Sequence, residues 1–516
     1  MPFRGTRAIP TVFVTILVAA AFAAAALADW QFSAPEELGM DSTRLEAMTA
    51  AIEELALQID SIVVARHGRI AFEYYPRPLY YGPNGRHVLY STTKSVTSTL
   101  IGIAIGQGSI ESVDQKVVDF FPDRTIANLD ERKRSMTLEH LLTMTSGFDW
   151  TGPDDMYHSW GEAIRSGDPV QYVLDRPMAY DPGAVWYYNG GCSHLLSAIL
   201  TEVTGMSTLH FANEYLFGPL GITNVRWPRD PNGIYYGGQD IQMTPRDMAK
   251  LGQLFLNDGV WEGEQIVPAE WVARSTDSYT ASWWGGYGYQ WWSYPDSGIY
   301  FASGAFEQRI FVVPDLDMVV VFTASNQASN LRPGEVAEGT PVVGWLLGRF
   351  ILPACEAYVE SEYEGFGFSM EIPVLMRADE YGLYGQGDPS DDSGMADFHM
   401  ADSPNEAFGV QWQTVESAPN LLLAIADFVE FTTDADTQIV HQELKFSTTL
   451  DGHKVAYQRL DVATGGGEVA AVVGAWYCEE TDRLFVLYSG VLDALTEWID
   501  PFATFERLIA GFDCHE

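Results

Sequence analysis

Leu89-Tyr90-Ser91-Thr92-Thr93-Lys94-Ser95-Val96-Thr97-Ser98-Thr99-Leu100-Ile101-Gly102-Ile103-Ala104-Ile105 is the stretch on which the reading of this chain turns. The apolar run from Val96 to Ile105 predicts a buried helix. Residues three apart on a helix are neighbours, so a helix begun at Ser91 brings the Lys94 amine within reach of the Ser91 hydroxyl. A neutral amine can take the seryl proton and make the hydroxyl a nucleophile. The bland alternative is a Ser cap followed by a solvated Lys. The chain has six lysines and only Lys94 has Ser three residues upstream. Since about 0.4 such pairs arise by chance at ordinary Ser frequency, the pair needs support from its surroundings.

The surroundings are those of a large globular protein. With 516 residues, 47% of them hydrophobic, the chain can bury two or three domain cores. Residues 1–28 read as a secretory leader: Arg4 and Arg7, an apolar Ala-rich run, then Ala26-Leu27-Ala28 as a cleavage site. A retained membrane anchor is the competing reading of that run. The formal charge is −41, or −43 once Arg4 and Arg7 leave with the leader. Such an excess of acid excludes nucleic acid as a partner and disfavours an anionic membrane surface. Cys192, Cys355, Cys478 and Cys514 allow three full pairings in an oxidising compartment. Cys478 with Cys514 is the favoured bond, both lying in the C-terminal segment. Nothing in the spacing predicts a metal site.

Along the chain, a helix over 42–57 precedes two β-branched runs, Ile62–Ala65 and Ile70–Tyr75, that read as a hairpin. From Thr137 to about Gly221 the pattern is mainly helical. Strand patterns return at Tyr287–Trp292, Ile299–Ala302, Arg309–Val313 and Met318–Thr323, and a helix is expected over Thr340–Leu352. Strands at both ends enclosing a helical middle predict an α+β fold, an antiparallel sheet flanked by helices with an inserted all-α subdomain. The cleft between sheet and insertion is the natural place for an active site. The expected organisation is a leader at 1–28, a main domain at 29–360 and a small C-terminal α+β domain at 361–516. Within the last, the acidic stretch Asp379–Asp397 reads as a mobile loop.

Several motifs occur in a fixed order. Tyr90-Ser91-Thr92-Thr93-Lys94-Ser95-Val96 is followed by Leu141-Leu142-Thr143-Met144-Thr145-Ser146-Gly147-Phe148, whose plain role is a helix ending at Gly147. Then come Trp186-Tyr187-Tyr188-Asn189-Gly190 and Gly237-Gly238 with Met243-Thr244-Pro245-Arg246-Asp247-Met248, a capped helix start with Pro just inside it. From about residue 36 to 355 the chain resembles the serine β-lactamase-related family: class C β-lactamases, D-alanyl-D-alanine carboxypeptidases, related esterases and aminohexanoate-oligomer hydrolases. The resemblance implies Ser91 as nucleophile, Lys94 as base and Tyr188 as the catalytic tyrosine of a Tyr-x-Asn or Tyr-x-Ser element. A phenol with an ordinary pKa of about 10 needs nearby positive charge, here from Lys94, to act near neutral pH. Gly190 stands where the family has Asn or Ser, so Asn189 is the candidate to take over substrate binding. The C-terminal segment, with Gly365–Pro373 as opening strand and Phe505–Phe512 in the closing helix, faintly resembles PsbP-like modules.

The third family element, Lys-Thr-Gly or His-x-Gly, is altered. The corresponding stretch is Ser303-Gly304-Ala305-Phe306-Glu307-Gln308-Arg309, where Glu307 would repel a substrate carboxylate. The backbone N–H groups of Ser91 and Gln308 remain candidates for an oxyanion hole, which needs strand geometry more than side chains. In the aromatic run from Trp283 to Trp292, Trp291 is the candidate substrate wall, with core packing as the competing reading. His140, His158, His194 and His210 have no Asp or Ser partner in a triad frame and read as helix residues. The function expected is an exported serine esterase or amidase acting through an acyl-enzyme on a small-molecule or peptide substrate. It requires no cofactor and no metal, and has no membrane contact after leader cleavage. The alternatives are a D-Ala-D-Ala carboxypeptidase or β-lactamase, and a non-catalytic penicillin-binding-like recognition module.

Overall fold

The computed structural model describes residues 30–55, 57–150, 158–282, 285–325, 342–356 and, with short interruptions, 361–514. The expected leader, Trp283 and the start of the helix expected at Thr340 lie outside these. Two units emerge, one of residues 1–38 with 60–323, the other of residues 39–59 with 324–516.

The first unit is built on a nine-stranded sheet. Its strands are β1 (Gln31–Phe32), β2 (Ile59–Arg66), β3 (Arg69–Tyr74), β4 (Thr280–Ser282), β5 (Gly285–Tyr287), β6 (Trp292–Tyr294), β7 (Ile299–Gly304), β8 (Gln308–Val313) and β9 (Met318–Ala324), in the order β1-β3-β2-β9-β8-β7-β6-β5-β4. The β-branched stretches Ile62-Val63-Val64 and Val319-Val320-Val321 suit a pleated surface. They are fully buried, as expected of strands covered on both faces. The predicted 62–75 and 309–323 hairpins both form. Tyr287–Trp292, expected as one strand, is instead the bend between β5 and β6, with Tyr287 opposite Trp292. Gln290 at φ 64° lies in the left-handed region and breaks the strand.

Between β3 and β4 the chain is mainly helical, with Thr93–Gly106, Leu138–Leu142, Pro169–Asp175, Gly190–Thr204 and Pro245–Leu256 among its helices. Thr244 caps the last of these, accepting from the Asp247 N–H with Pro245 just inside, as its sequence predicts. The helix at Leu138 ends at Thr143 rather than at Gly147, because Met144 turns left-handed at φ 59°. The fold class is therefore α+β with an inserted helical region.

The second unit begins inside the first part of the sequence. Helix Ser42–Glu54, capped by Asp41, buries Leu45, Met48, Ala51 and Ile52 and packs on the helical turns of Leu347–Ile351. The Asp41 N–H donates to Ala354 O at 2.8 Å. The rest is an antiparallel sheet in the order Met376–Tyr381, Ser393–Met400, Ser403–Thr414, Arg483–Leu492, Gly467–Cys478, His453–Thr464, Gln438–Gln442, with Phe446–Leu450 also paired to His453–Thr464. Helix Leu421–Thr432 packs Ile425 and Phe428 into one core. Phe368, Trp412, Trp476, Phe485, Phe505 and Phe512 belong to another. The ends of Asp379–Asp397 are strands, not loop: Ala378 pairs with Phe398 and Tyr381 with Met395. Alternate apolar residues, Ala396 and Phe398 among them, reach the core and hold this acidic hairpin in place.

Candidate active site

Tyr90–Thr92 forms a single tight turn that runs into helix Thr93–Gly106, so Ser91 sits at the helix mouth and Lys94 one turn further in. Lys94 Nζ lies 3.0 Å from Ser91 Oγ and donates to Gly238 O at 2.7 Å. Ser91 is half-buried while Lys94 is 4% exposed. Burial disfavours the ammonium and pulls the Lys94 amine down to about 7, against the opposing pull of the Asp240 carboxylate. A substantial share of the amine is therefore neutral near pH 7.

The Tyr188 hydroxyl is hydrogen-bonded to the Ser91 side chain, and Lys94 Nζ lies 4.8 Å from the centre of its ring. Trp292 and Trp186 pack beside that ring, 5.6 and 6.3 Å away between centroids. Burial pushes the Tyr188 phenol up to about 12, outweighing the hydrogen bond to Ser91 and the Arg309 charge that pull it down, rather than down as an adjacent ammonium was expected to do. Ser91, Lys94 and Tyr188 thus meet at one point, with the amine shifted down and the phenol up.

The turn carrying Ser91 is stitched to the segment 237–241. The Thr97 hydroxyl donates to Gly237 O at 2.7 Å, the Ile241 N–H to the Thr93 hydroxyl at 3.1 Å, and the Leu89 N–H to Ile241 O at 2.8 Å. Gly237 permits this, since a Cβ there would come 2.0 Å from Ser193 O on helix Gly190–Thr204. On the other side β7 ends at Gly304, where a Cβ would come 2.2 Å from Leu89 O. The Thr92 hydroxyl donates to Gln308 O at 3.3 Å, so the Gln308 backbone borders the Ser91 turn, where an oxyanion donor was expected.

Two expected substrate contacts have other work. Asn189 is 1% exposed and caps helix Gly190–Thr204, its Oδ1 accepting from the Gly191 and Cys192 N–H groups at 2.8 and 3.3 Å. That is a structural correction: the side-chain oxygen is committed to the helix that follows Tyr188. Trp291 is likewise corrected. At 2% exposure, with Phe255 at 4.3 Å between ring centroids, it is core. Arg309 is buried, donating to Gly304 O at 2.8 Å with Glu307 at 3.7 Å. His194 does have an acidic partner, Asp230 at 3.2 Å, both side chains fully buried and the imidazole packed against Trp160 and Tyr236. Asp230 also accepts from the Asn232 and Ile234 N–H groups at 2.8 and 2.9 Å, which holds the loop before residue 237.

Asp240 and Gln290 escaped the sequence reading. Asp240, at φ 69°, follows the Gly237-Gly238 pair that was taken only as a helix start. Gln290 joins three helices: its Oε1 accepts from Ser193 at 2.6 Å, its Nε2 donates to Leu141 O at 3.0 Å and its carbonyl accepts from Ser95 at 2.7 Å. A glycine pair ahead of an acid was the available signal for the first; the second left none. Elsewhere, Cys478 and Cys514 are buried thiols with Sγ atoms 2.6 Å apart, whereas Cys192 faces the Ser146 hydroxyl at 3.3 Å. Among the described residues, no group of three or more His, Cys, Asp or Glu side chains could hold a metal ion.

Residues 47–338 match a family model described as Beta-lactamase. Over 305 residues the chain is 25% identical to a 6-aminohexanoate-dimer hydrolase of Paenarthrobacter ureafaciens, covering 55% of this chain and 76% of that one. Over 210 residues it is 28% identical to a monacolin J acid methylbutanoyltransferase of Aspergillus terreus, covering 37% of this chain and 50% of the relative. Among solved structures, the octameric penicillin-binding protein homologue of Pyrococcus abyssi aligns with a TM-score of 0.46 at 17% identity, over 86% of this chain and 100% of that one.

Proposed function

The chain belongs to the beta-lactamase family, and on that premise we propose that it is a serine hydrolase acting through a seryl acyl-enzyme on uncharged esters or amides. The observation that carries this is the 3.0 Å approach of a buried Lys94 amine, held down to about 7, to Ser91 Oγ. Lys94 takes the proton as Ser91 Oγ attacks the substrate carbonyl carbon. The oxyanion that forms is held by the backbone N–H groups of Ser91 and Gln308. As the intermediate collapses, the bond to the leaving group breaks and that group takes a proton from Lys94, relayed through the Tyr188 hydroxyl. Water then attacks the acyl-enzyme by the reverse proton path, releasing the acid and restoring Ser91.

Esters or amides without a carboxylate fit best, because Arg309 is engaged by Gly304 O and Glu307 within the turn. The test is intact-mass spectrometry with a fluorophosphonate beside a Ser91→Ala control, then a panel of p-nitrophenyl esters, nitrocefin and a D-Ala-D-Ala peptide. Labelling lost in the control, with ester turnover, is the expected result. Rapid nitrocefin or peptide turnover with negligible ester cleavage would overturn the substrate class, and absence of any adduct would overturn the nucleophile.

A further inference from the structure

The turn between β7 and β8 differs from a plain hairpin in what it presents. Phe306 and Glu307 stand at φ 58° and 60°, and Tyr90, immediately before Ser91, at φ 44°. Three non-glycine residues in the left-handed region around one hydroxyl are uncommon, and such conformations persist only where the surroundings over-determine them. The surroundings here do so. Gln308 Nε2 donates to Phe306 O at 2.6 Å, and Arg309 reaches back to Gly304 O. Gly304 itself abuts Leu89 O. The two aromatic rings meet edge to face, with centroids 5.0 Å apart. Even so, Phe306 remains 44% exposed. A large apolar ring held partly in water beside a candidate nucleophile, by a backbone conformation that disfavours it, has surface left to cover.

We propose that Tyr90 and Phe306 form an aromatic lip beside Ser91 that binds the ring-bearing or long apolar acyl portion of an uncharged ester. The inference deepens the serine hydrolase reading and rests on it for the position of the scissile bond. Trp291, lying in the core, cannot do this work, so the aromatic selectivity passes to residues on either side of the nucleophile turn. Glu307 is paired with Arg309 at 3.7 Å, which commits that guanidinium within the turn rather than to a substrate carboxylate.

The test separates binding from chemistry. In a Ser91→Ala background, which cannot cleave, p-nitrophenyl phenylacetate and p-nitrophenyl acetate are titrated against tryptophan fluorescence with and without Phe306→Gly, a change that suits the left-handed backbone while removing the ring. Expected is a 5- to 30-fold weakening for phenylacetate, about 1–2 kcal/mol, with acetate within twofold. In the active protein, Phe306→Gly should raise KM for phenylacetate and hexanoate esters by the same factor as the binding loss, and by several-fold more than it raises KM for acetate. Equal loss for every ester, or no change in phenylacetate binding, overturns the lip. Loss of phenylacetate binding in a protein whose Ser91 takes no fluorophosphonate upholds the lip and sinks the nucleophile assignment instead.

Discussion

Acidifying the solution should switch Ser91 off through a single proton. With Lys94 at about 7 instead of the usual 10.5, about half of the amine is neutral at pH 7, whereas an ordinary lysine would be neutral in about 3 molecules per 10,000. Burial thus raises the available base on the order of 10³-fold. Below the midpoint the reactive fraction falls about tenfold per pH unit, to about 1% of the plateau at pH 5. Tyr188, at about 12, stays protonated and adds no descending limb near neutrality. The assay is the second-order rate of fluorophosphonate labelling by intact mass from pH 5 to 9, with kcat/KM for a neutral ester alongside. Asp240→Asn removes the anion that favours the ammonium, so the midpoint should move to lower pH. A flat profile from pH 5 to 8, a midpoint above 9, or an upward shift in the Asp240 variant would refute the assignment of Lys94 as base.

Three further outcomes are expected. Replacing Lys94 by Met should abolish labelling yet stabilise the fold at pH 7. The folded lysine titrates at about 7 and the unfolded one at 10.5, so stability is lost as pH falls from 10.5 towards 7 and the charge cost is full below that; less the hydrogen bond to Gly238 O, the net gain is about 1–3 kcal/mol in denaturant melts and should fade near pH 10.5. Asn189→Ala should cost about 1–2 kcal/mol through the lost helix cap, with ester KM values unchanged; a KM rise without destabilisation would restore its substrate role. Oxidised protein should lack two free thiols at Cys478 and Cys514 and lose thermal stability on reduction, which peptide mapping with and without reductant checks.

Where local periodicity and capping carry the structure, the sequence was readable. The β2–β3 and β8–β9 hairpins, the helix after Ser91 and the Thr244 cap follow from β-branching, an apolar run and a Thr-Pro start. What escaped depends on contacts distant in sequence or on backbone conformations that side-chain type does not announce. Gln290 folds back because three helices claim its polar atoms. Trp291 next to it goes into the core rather than the cleft. Asn189 sits one residue after the tyrosine, where binding and capping look alike in sequence, and only the N–H groups it meets decide. The acidity of Asp379–Asp397 concealed an alternation that pairs Ala378 with Phe398. That the side chains of Ser91, Lys94 and Tyr188 come together was legible from spacing and motif order, whereas the charge of Asp240 becomes relevant only once Gly237 allows its segment to wrap the Ser91 turn.

The second unit opens with residues 39–59, far ahead of the remainder of its chain. It therefore cannot be trimmed from this gene like a tail. A truncation ending at β9 leaves Ser42–Glu54 in place while deleting the Leu347–Ile351 turns on which Leu45, Met48 and Ile52 rest. The shortened product would carry a newly wetted apolar helix at its amino end and, on that ground, collect in inclusion bodies. Anyone dissecting the protein should move the downstream cut beyond Glu356, because Cys355 bridges Met40 and the Glu356 N–H donates to Gly39 O at 3.0 Å, tying the two distant segments together.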